Sequence, residues 1–374
     1  MANRKKILIT GGAGFIGSHL ADELMAHGYY VRALDLLSPQ VHGASREAPG
    51  YLDPDVEVLS KDVRDADAVE RALRGIDAVF HFAASVGVGQ SMYEIEKYTS
   101  HNSIGTAVLL EALMKQPVEK LIVASSMSIY GEGLYRSSTG RIYDNAERSL
   151  DRLKCGLWEL CDGDGSPLEP IPTPESKPPA LNSVYALSKY YQERLCLMFG
   201  RAYKIPTVAL RFFNAYGPRQ SLSNPYTGVL AIFASRCLND KPPLIFEDGR
   251  QKRDFVSVYD IACACRLALE TARAADVVLN VGSGRPYSVL EIAECIAGVL
   301  NKERLRPKTT GKYRVGDIRH CFADISLARS LIGFEPRIDL QDGIRDLAEW
   351  LEGQMADDRV ENASAELDVR GLTI

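Results

Sequence analysis

Tyr185 and Lys189 stand four residues apart in the segment YALSK. On a helix that spacing puts both side chains on one face. A Lys ammonium near a phenol stabilises the phenolate, so the pair could exchange protons near neutral pH. Spacing alone favours an ordinary surface pair over a catalytic one. A second group is Gly11, Gly14 and Gly17, spaced G-x-x-G-x-x-G with Phe15 and Ile16 between the last two. Glycines so placed let the backbone turn tightly and approach a pyrophosphate at a helix N-terminus. Asp35 follows near the roughly 20-residue offset of an acid that binds a dinucleotide's ribose. Such a carboxylate accepts from the 2′-hydroxyl and repels a 2′-phosphate, which favours NAD over NADP. Arg32 keeps NADP open, although it precedes the acid.

These groups need a strand before the glycines and a helix after them. Lys6–Thr10 is a short apolar strand, and Phe15–His27 reads as a helix with apolar Phe15, Leu20, Leu24 and Met25. Further strands are expected at Tyr30–Leu34, Val56–Leu59, Ala78–Phe82 and Lys120–Ala124, with helices over Ala66–Arg74 and about Thr99–Lys115. This βαβαβ order predicts an α/β fold, a Rossmann-type doubly wound parallel sheet with right-handed crossovers. Asp62 and Val63 follow the third strand, where an adenine could rest. Ala83 and Ala84 follow the fourth, where small side chains would admit a nicotinamide ribose. Taken alone, each reads as a turn or plain packing. A helix over Val184–Tyr203 and a strand over Thr207–Phe212 come next, then mixed elements. Among those, Ser288 and Glu291 form a capping-box pattern.

Three regions are expected. Residues 1–181 form the dinucleotide-binding part, with an insertion at about 131–181. Residues 182–353 return to the sheet and build a smaller C-terminal α/β substrate-binding lobe. Residues 354–374 are a polar tail.

Composition narrows the class. The 374 residues carry a net charge of −5, 46% hydrophobic and 25% charged residues. That is ordinary for a globular chain and lacks the basic footprint of a nucleic-acid binder. No stretch reads as a signal peptide or reaches membrane-spanning length. Eight scattered cysteines show no secreted framework, so a reducing cytoplasm is expected.

TGGAGFIGSHL, HFAA (His81–Ala84), SSMSIYG (Ser125–Gly131) and YALSK, in this order, resemble the extended short-chain dehydrogenase/reductases that act on nucleotide sugars. The resemblance spans about residues 5 to 350, apart from the insertion. It implies NAD as cofactor, Tyr185 as general base and acid, and Lys189 on the nicotinamide ribose. Ser126 would be the hydroxyl partner at the reacting sugar oxygen, with Ser125 the competing candidate. Asn102, in HNSIGT, matches an Asn of the family's NNxxGT pattern, in which His101 replaces the first Asn. The resemblance also implies a homodimer through the Thr99–Lys115 and Val184–Tyr203 helices.

The second half is similar to the nucleotide-sugar branch. Asn214 matches a diphosphate contact and Arg253 a phosphate-binding Arg. Arg314 and Asp317 match a phosphate-binding Arg and an acid near the nucleoside ribose. Arg suits phosphate because its planar fork donates two bonds at once. Dehydratases of the family carry an Asp-Glu pair after the hydroxyl residue, and decarboxylases keep the Glu. Met127 and Ser128 stand there and supply no carboxylate. Epimerisation at sugar carbon 4 is therefore expected. Cys321 falls where 4-epimerases place a pocket-gating side chain, and a Cys would admit bulkier sugars than a Tyr. The segment pattern is similar to dTDP-L-rhamnose 4-epimerases of deoxysugar pathways. The alternatives are UDP-hexose, UDP-N-acetylhexosamine or UDP-hexuronate epimerases, a dehydratase, decarboxylase or reductase, and a non-catalytic NAD-binding protein.

The insertion holds Cys155 and Cys161 with no nearby His. That is too few ligands for structural zinc, so no metal is expected. It reads as a loop packed over the substrate pocket, with Trp158 as its anchor.

Overall fold

A computed structural model describes residues 4–43, 47–220, 228–314, 317–352 and 368–371. Strands are numbered in chain order. In β1 (Lys6–Thr10), Ile7 and Ile9 face one side and Leu8 the other, and all three are fully buried. Burial on both faces is what a parallel strand covered by helices requires. The same holds along β2 (Tyr30–Asp35), β4 (Ala78–His81), β5 (Lys120–Ser126), β9 (Thr207–Phe212) and β13 (Val277–Val281), while β3 (Glu57–Ser60) closes one edge. The sheet runs β13-β9-β5-β4-β1-β2-β3, and every pair is parallel. The chain winds outward from β1 to β3, then crosses back to β4 and continues on the other side. That reversal opens a crevice at the carboxyl ends of β1 and β4, where doubly wound sheets bind ligands.

Helices cover both faces, as expected. Phe15–Ala26 and Val258–Glu270 pack on one through Leu20, Leu24, Ile261 and Cys265. Gly105–Lys115 and Val184–Tyr203 pack on the other through Leu109, Leu113, Cys196 and Leu197. Each buried Leu or Ile contributes about 1.5–3 kcal/mol relative to exposure. The expected helix over Thr99–Lys115 differs in one respect: Thr99–Ile104 is a π-helix, and the α-helix begins at Gly105. Asn102 lies in that widened turn, its amide bonded across to the backbone of Ser85.

In the second half, β10 (Asn214–Tyr216), β12 (Lys252–Ser257), β14 (Pro286–Ser288) and β16 (His320–Cys321) share a small sheet centred on β12. Helices Val229–Leu238, Val289–Val299 and Leu340–Glu352 bury Phe233, Ile292, Ile296 and Leu347 together beside it. β11 (Leu244–Ile245) and β15 (Lys308–Thr309) form a separate pair. Ser288 and Glu291 make the capping box read from the sequence.

The insertion is more than a loop. β6 (Leu134–Arg136) pairs antiparallel with β7 (Ile142–Tyr143) and β8 (Glu169–Ile171), and a short helix spans Leu150–Lys154. Its own apolar core is only Tyr135, Leu160 and Leu168. Charge does the rest. Arg319, fully buried, reaches Glu159 of the insertion as well as Glu247 and Asp248. Glu132 accepts from the backbone N–H groups of Arg319 and His320. Of the expected tail, only 368–371 is described. Among the described residues no helix is long and apolar enough to cross a membrane.

Candidate active site

The glycine loop sits at the crevice. Gly11 has φ +74°, its N–H bonds Leu34 O at 2.8 Å, and a Cβ there would lie 2.9 Å from Ala83 N. A Cβ at Gly17 would lie 2.2 Å from Gly11 O, so the helix starts against the turn only because Gly17 has no side chain. At Gly14, which caps that helix, a Cβ would meet only Gly11 O at 3.4 Å among the described residues and otherwise enter open space. Phe15 and Ile16 open the first helical turn. Asp35 ends β2 with one oxygen accepting from Ala13 N at 3.0 Å and the other from Leu37 N at 2.9 Å. Arg32 is turned away: it pairs with Glu57 at 2.7 Å and donates to the carbonyls of Ala72 and Arg74. It cannot serve a 2′-phosphate from there. Asp62 accepts a fork from Arg64, and buried Val63 fills the space where a Cβ at Gly105 would come within 2.6 Å. Ala83 and Ala84 lie just beyond β4, with Ala83 N donating to Thr10 Oγ1.

Tyr185 and Lys189 lie in the first turns of the helix capped by Ser183. Both are buried, which ends the surface-pair reading. Ser126, at the end of β5, is the hydroxyl neighbour that lowers the Tyr185 phenol against the effect of burial. Ser128 Oγ in turn donates to Ser126 Oγ at 2.9 Å. Ser125 is occupied elsewhere, donating at 2.6 Å to Glu193, which is paired with buried Arg211. The structure thus selects Ser126 over Ser125 as the neighbour of Tyr185. Electrostatics differ from the expectation that Lys189 lowers the phenol. Burial pushes Tyr185 up, partly offset by Ser126, and burial brings Lys189 down to about 8. The Lys189 ammonium donates to Gln192 Oε1 at 2.8 Å.

On the lobe side, Asn214 lies on β10, Arg253 on β12 and Cys321 on β16, all on one sheet. Among the described residues the buried Asn214 side-chain oxygen has no hydrogen-bond partner, which leaves capacity for a ligand. Arg253 donates to the backbone carbonyls of Lys252, Ile318 and Arg319. Arg314 lies over the Phe246 ring, 4.5 Å from its centroid, and pairs with Asp317 at 3.1 Å. Cys321 is 1% exposed, its thiol 3.9 Å from Thr173 Oγ1 of the insertion. It is a buried wall rather than an open rim. Trp158 meets Tyr313 edge-on at 6.1 Å. Residues 221–227 fall outside the described residues, as do Val315 and Gly316 between Arg314 and Asp317.

A family model described as the NAD dependent epimerase/dehydratase family matches residues 7–152 and 161–282. The chain belongs to this family. It is 34% identical over 355 residues to a dTDP-L-rhamnose 4-epimerase of Burkholderia thailandensis, covering 94% of this chain and 96% of that protein. Among solved structures, a UDP-N-acetylglucosamine 4-epimerase of Methanobrevibacter ruminantium in complex with UDP-N-acetylmuramic acid matches with TM-score 0.77 and 31% identity, over 94% and 100% of the chains. A Thermus thermophilus UDP-glucose 4-epimerase in complex with NAD matches with TM-score 0.74 and 30% identity, over 94% and 100%. The gap between 152 and 161 in the family match falls inside the insertion.

NAD is the family's cofactor, and the crevice fits it. Gly14 leaves a cradle that a Cβ would fill, and each Asp35 oxygen keeps accepting capacity for a ribose hydroxyl. Sequence reasoning missed the polar chain beneath this site. Lys189 bonds Gln192, Gln192 bonds Thr106, Thr106 meets His81 Nε2 at 2.9 Å, and His81 Nδ1 meets Thr10 Oγ1 at 2.8 Å. Burial, reinforced by Lys189, lowers His81 to about 3, so its ring is neutral. The signal was available in HFAA, where a His stands in an otherwise apolar strand.

Proposed function

We propose that the chain is a nucleotide-sugar 4-epimerase working through a transient 4-keto sugar, with a dTDP-6-deoxyhexose such as dTDP-L-rhamnose as substrate. The observation that carries this is the Ser126 hydroxyl beside Tyr185, followed by Met127 and Ser128, positions that offer hydroxyls and no carboxylate. Hydroxyls can pass a proton to and from a sugar hydroxyl. They cannot supply the carboxylic acid and base that removal of water needs.

In this reading, Tyr185 takes the proton of the C4 hydroxyl while Ser126 holds that oxygen, and Tyr185 returns the proton after the sugar has turned. Bound NAD supplies the hydride acceptor and donor. Burial raises Tyr185, and Lys189, one helical turn away, would have to turn from Gln192 toward the phenol to lower it. Asn214, Arg253, Arg314 and Asp317 hold the diphosphate and nucleoside. UDP-sugars are the second reading, supported by the likeness to the Methanobrevibacter and Thermus enzymes.

We also propose a homodimer. Ile104 at the end of the π-helix, Met114 on the α-helix it leads into, and Leu187, Tyr191 and Met198 on the Val184–Tyr203 helix are exposed apolar residues. A second copy laying the same two helices against them would cover both sets. Sedimentation of the purified protein as a monomer would refute this.

The test of the activity is incubation with dTDP- and UDP-sugars without added cofactor, followed by mass spectrometry and proton NMR. A new isomer of unchanged mass is expected, and the sugar that reacts names the substrate. Loss of water or carbon dioxide would overturn the epimerase reading.

A further inference from the structure

The insertion contributes one side chain that reaches past its own boundary to the nucleotide end of the lobe. Arg148 precedes the short helix Leu150–Lys154, and its side chain is only 5% exposed. Its three guanidinium nitrogens go to three different segments. Nε pairs with Glu132 at 3.2 Å, Nη1 with Glu247 at 2.6 Å, and Nη2 donates to the Asp317 carbonyl at 2.7 Å. The first partner belongs to the insertion. The other two belong to the lobe and flank the residues proposed to meet the nucleotide.

Glu247 directly follows Phe246, whose ring carries Arg314. It is 2% exposed and has φ +54°, a left-handed conformation that a Glu adopts only where its surroundings impose it. Two guanidinium groups impose it here, Arg148 on Oε1 and Arg319 on Oε2. Glu247 also ties the next loop by its backbone, donating to Lys312 O at 2.8 Å. Asp317 is tied to Arg314, its N–H bonded to Arg314 O at 3.1 Å and its carboxylate to Arg314 Nε. Phe246, Arg314 and Asp317 therefore sit at the surface on backbone whose two supports, Glu247 and Asp317 O, converge on one buried guanidinium.

We infer that Arg148 is a positioning residue for nucleotide binding: it sets the Phe246 turn and the Arg314 and Asp317 side chains as one surface for a nucleoside diphosphate. It touches neither the reacting centre nor the glycine loop. The insertion thereby governs how well the nucleotide end is held, and leaves proton transfer at Tyr185 alone. This rests on the proposed nucleotide-sugar reading, because it assigns a support to residues which that reading gives to the nucleotide.

The experiment compares Arg148→Lys and Arg148→Met with wild-type holoenzyme. Arg148→Lys keeps a cation between Glu132 and Glu247 and so preserves the fold, but one ammonium cannot reach three segments at once. Arg148→Met keeps the length and removes every bond. Calorimetric titration with dTDP and with UDP measures the nucleotide end by itself, and steady-state kinetics separate KM from kcat. Arg148→Lys should weaken binding of the preferred nucleoside diphosphate and raise KM about five- to tenfold. Arg148→Met should do more, and both should keep kcat within twofold and retain NAD. Unchanged nucleotide affinity in folded Arg148→Lys would overturn the inference, as would a fall in kcat with KM unaltered. If wild-type enzyme binds neither dTDP nor UDP, the nucleotide-sugar reading itself fails, and that result is distinct from a variant that binds as wild type does.

Discussion

Gly14 and Gly17 belong to the same motif but should fail in opposite ways when a methyl group is added. At Gly17 the new Cβ would lie 2.2 Å from Gly11 O and 2.8 Å from Gly12 Cα, both backbone, so the helix and the turn must separate. Overpacking against atoms that cannot rotate away costs about 1–3 kcal/mol, roughly 1–4 °C in Tm for a chain of this size. At Gly14 the nearest atom is Gly11 O at 3.4 Å, an ordinary contact, and φ −73° suits alanine. The loss of a glycine N-cap there is offset within about 1 kcal/mol by the stiffer unfolded chain. Gly14→Ala should therefore leave the NAD-free Tm within about 2 °C of wild type. Its methyl group, however, stands where the pyrophosphate must approach, and a clash of about 2 kcal/mol weakens NAD roughly thirtyfold. Thermal scans of each variant with and without saturating NAD separate the two effects. A Gly14→Ala protein that is strongly destabilised without NAD, or that binds NAD as wild type does, would refute the cradle.

Further outcomes are expected at the reacting centre and the insertion. Tyr185→Phe should cut turnover about 10²–10⁴-fold while the protein still co-purifies with NAD; unimpaired activity would remove Tyr185 from its role. Ser126→Ala should lower kcat, whereas Ser125→Ala should chiefly lower Tm, because it leaves the buried Glu193–Arg211 pair short of a donor; equal kinetic losses would contradict that division. Glu159 is held down to about 2 by its hydrogen bond to His320 and by Arg319, so its contribution is full above its ordinary value of 4.5 and is lost as pH falls toward 2. In a Trp350→Phe protein, Trp158 is the remaining tryptophan, and its fluorescence should change across that window; a flat signal would mean Glu159 does not hold the insertion down. Cys321→Tyr tests the gating idea: with the thiol buried against Thr173, the larger ring should lower Tm, and an unchanged substrate range would end that idea.

The central sheet was legible because its strands carry long apolar runs and its glycine loop is local in sequence. The Tyr185 helix was equally plain, a single periodic stretch behind a Ser cap. Burial of Tyr185 and Lys189 was not, since the residues against them, among them His81, Ser91, Tyr98 and Ser126, are distant in sequence. The choice between Ser125 and Ser126 turned on Glu193 and Arg211, partners that no spacing rule connects. The insertion hid for a different reason. Its strands are two or three residues long, too short for a period to show, and its docking rests on ion pairs between residues up to 160 positions apart. The π-turn at Thr99–Ile104 escaped because one extra residue in a helix leaves the apolar stripe nearly intact.

Ser126 pairs in register with Phe212 on the neighbouring strand, and Asn214 lies only two residues further on. Phe213 between them is itself bonded to Val281 at 3.0 Å, so the passage from the large sheet to the small one has no free joint. The hydroxyl proposed to face the chemistry and the amide proposed to grip the diphosphate are in effect two marks on one ruler. A protein built this way cannot present a second face of a sugar by moving its own halves past each other at this point. The turning needed between the two half-reactions is left to the single bonds of the bound molecule, and the enzyme's part is to leave it room.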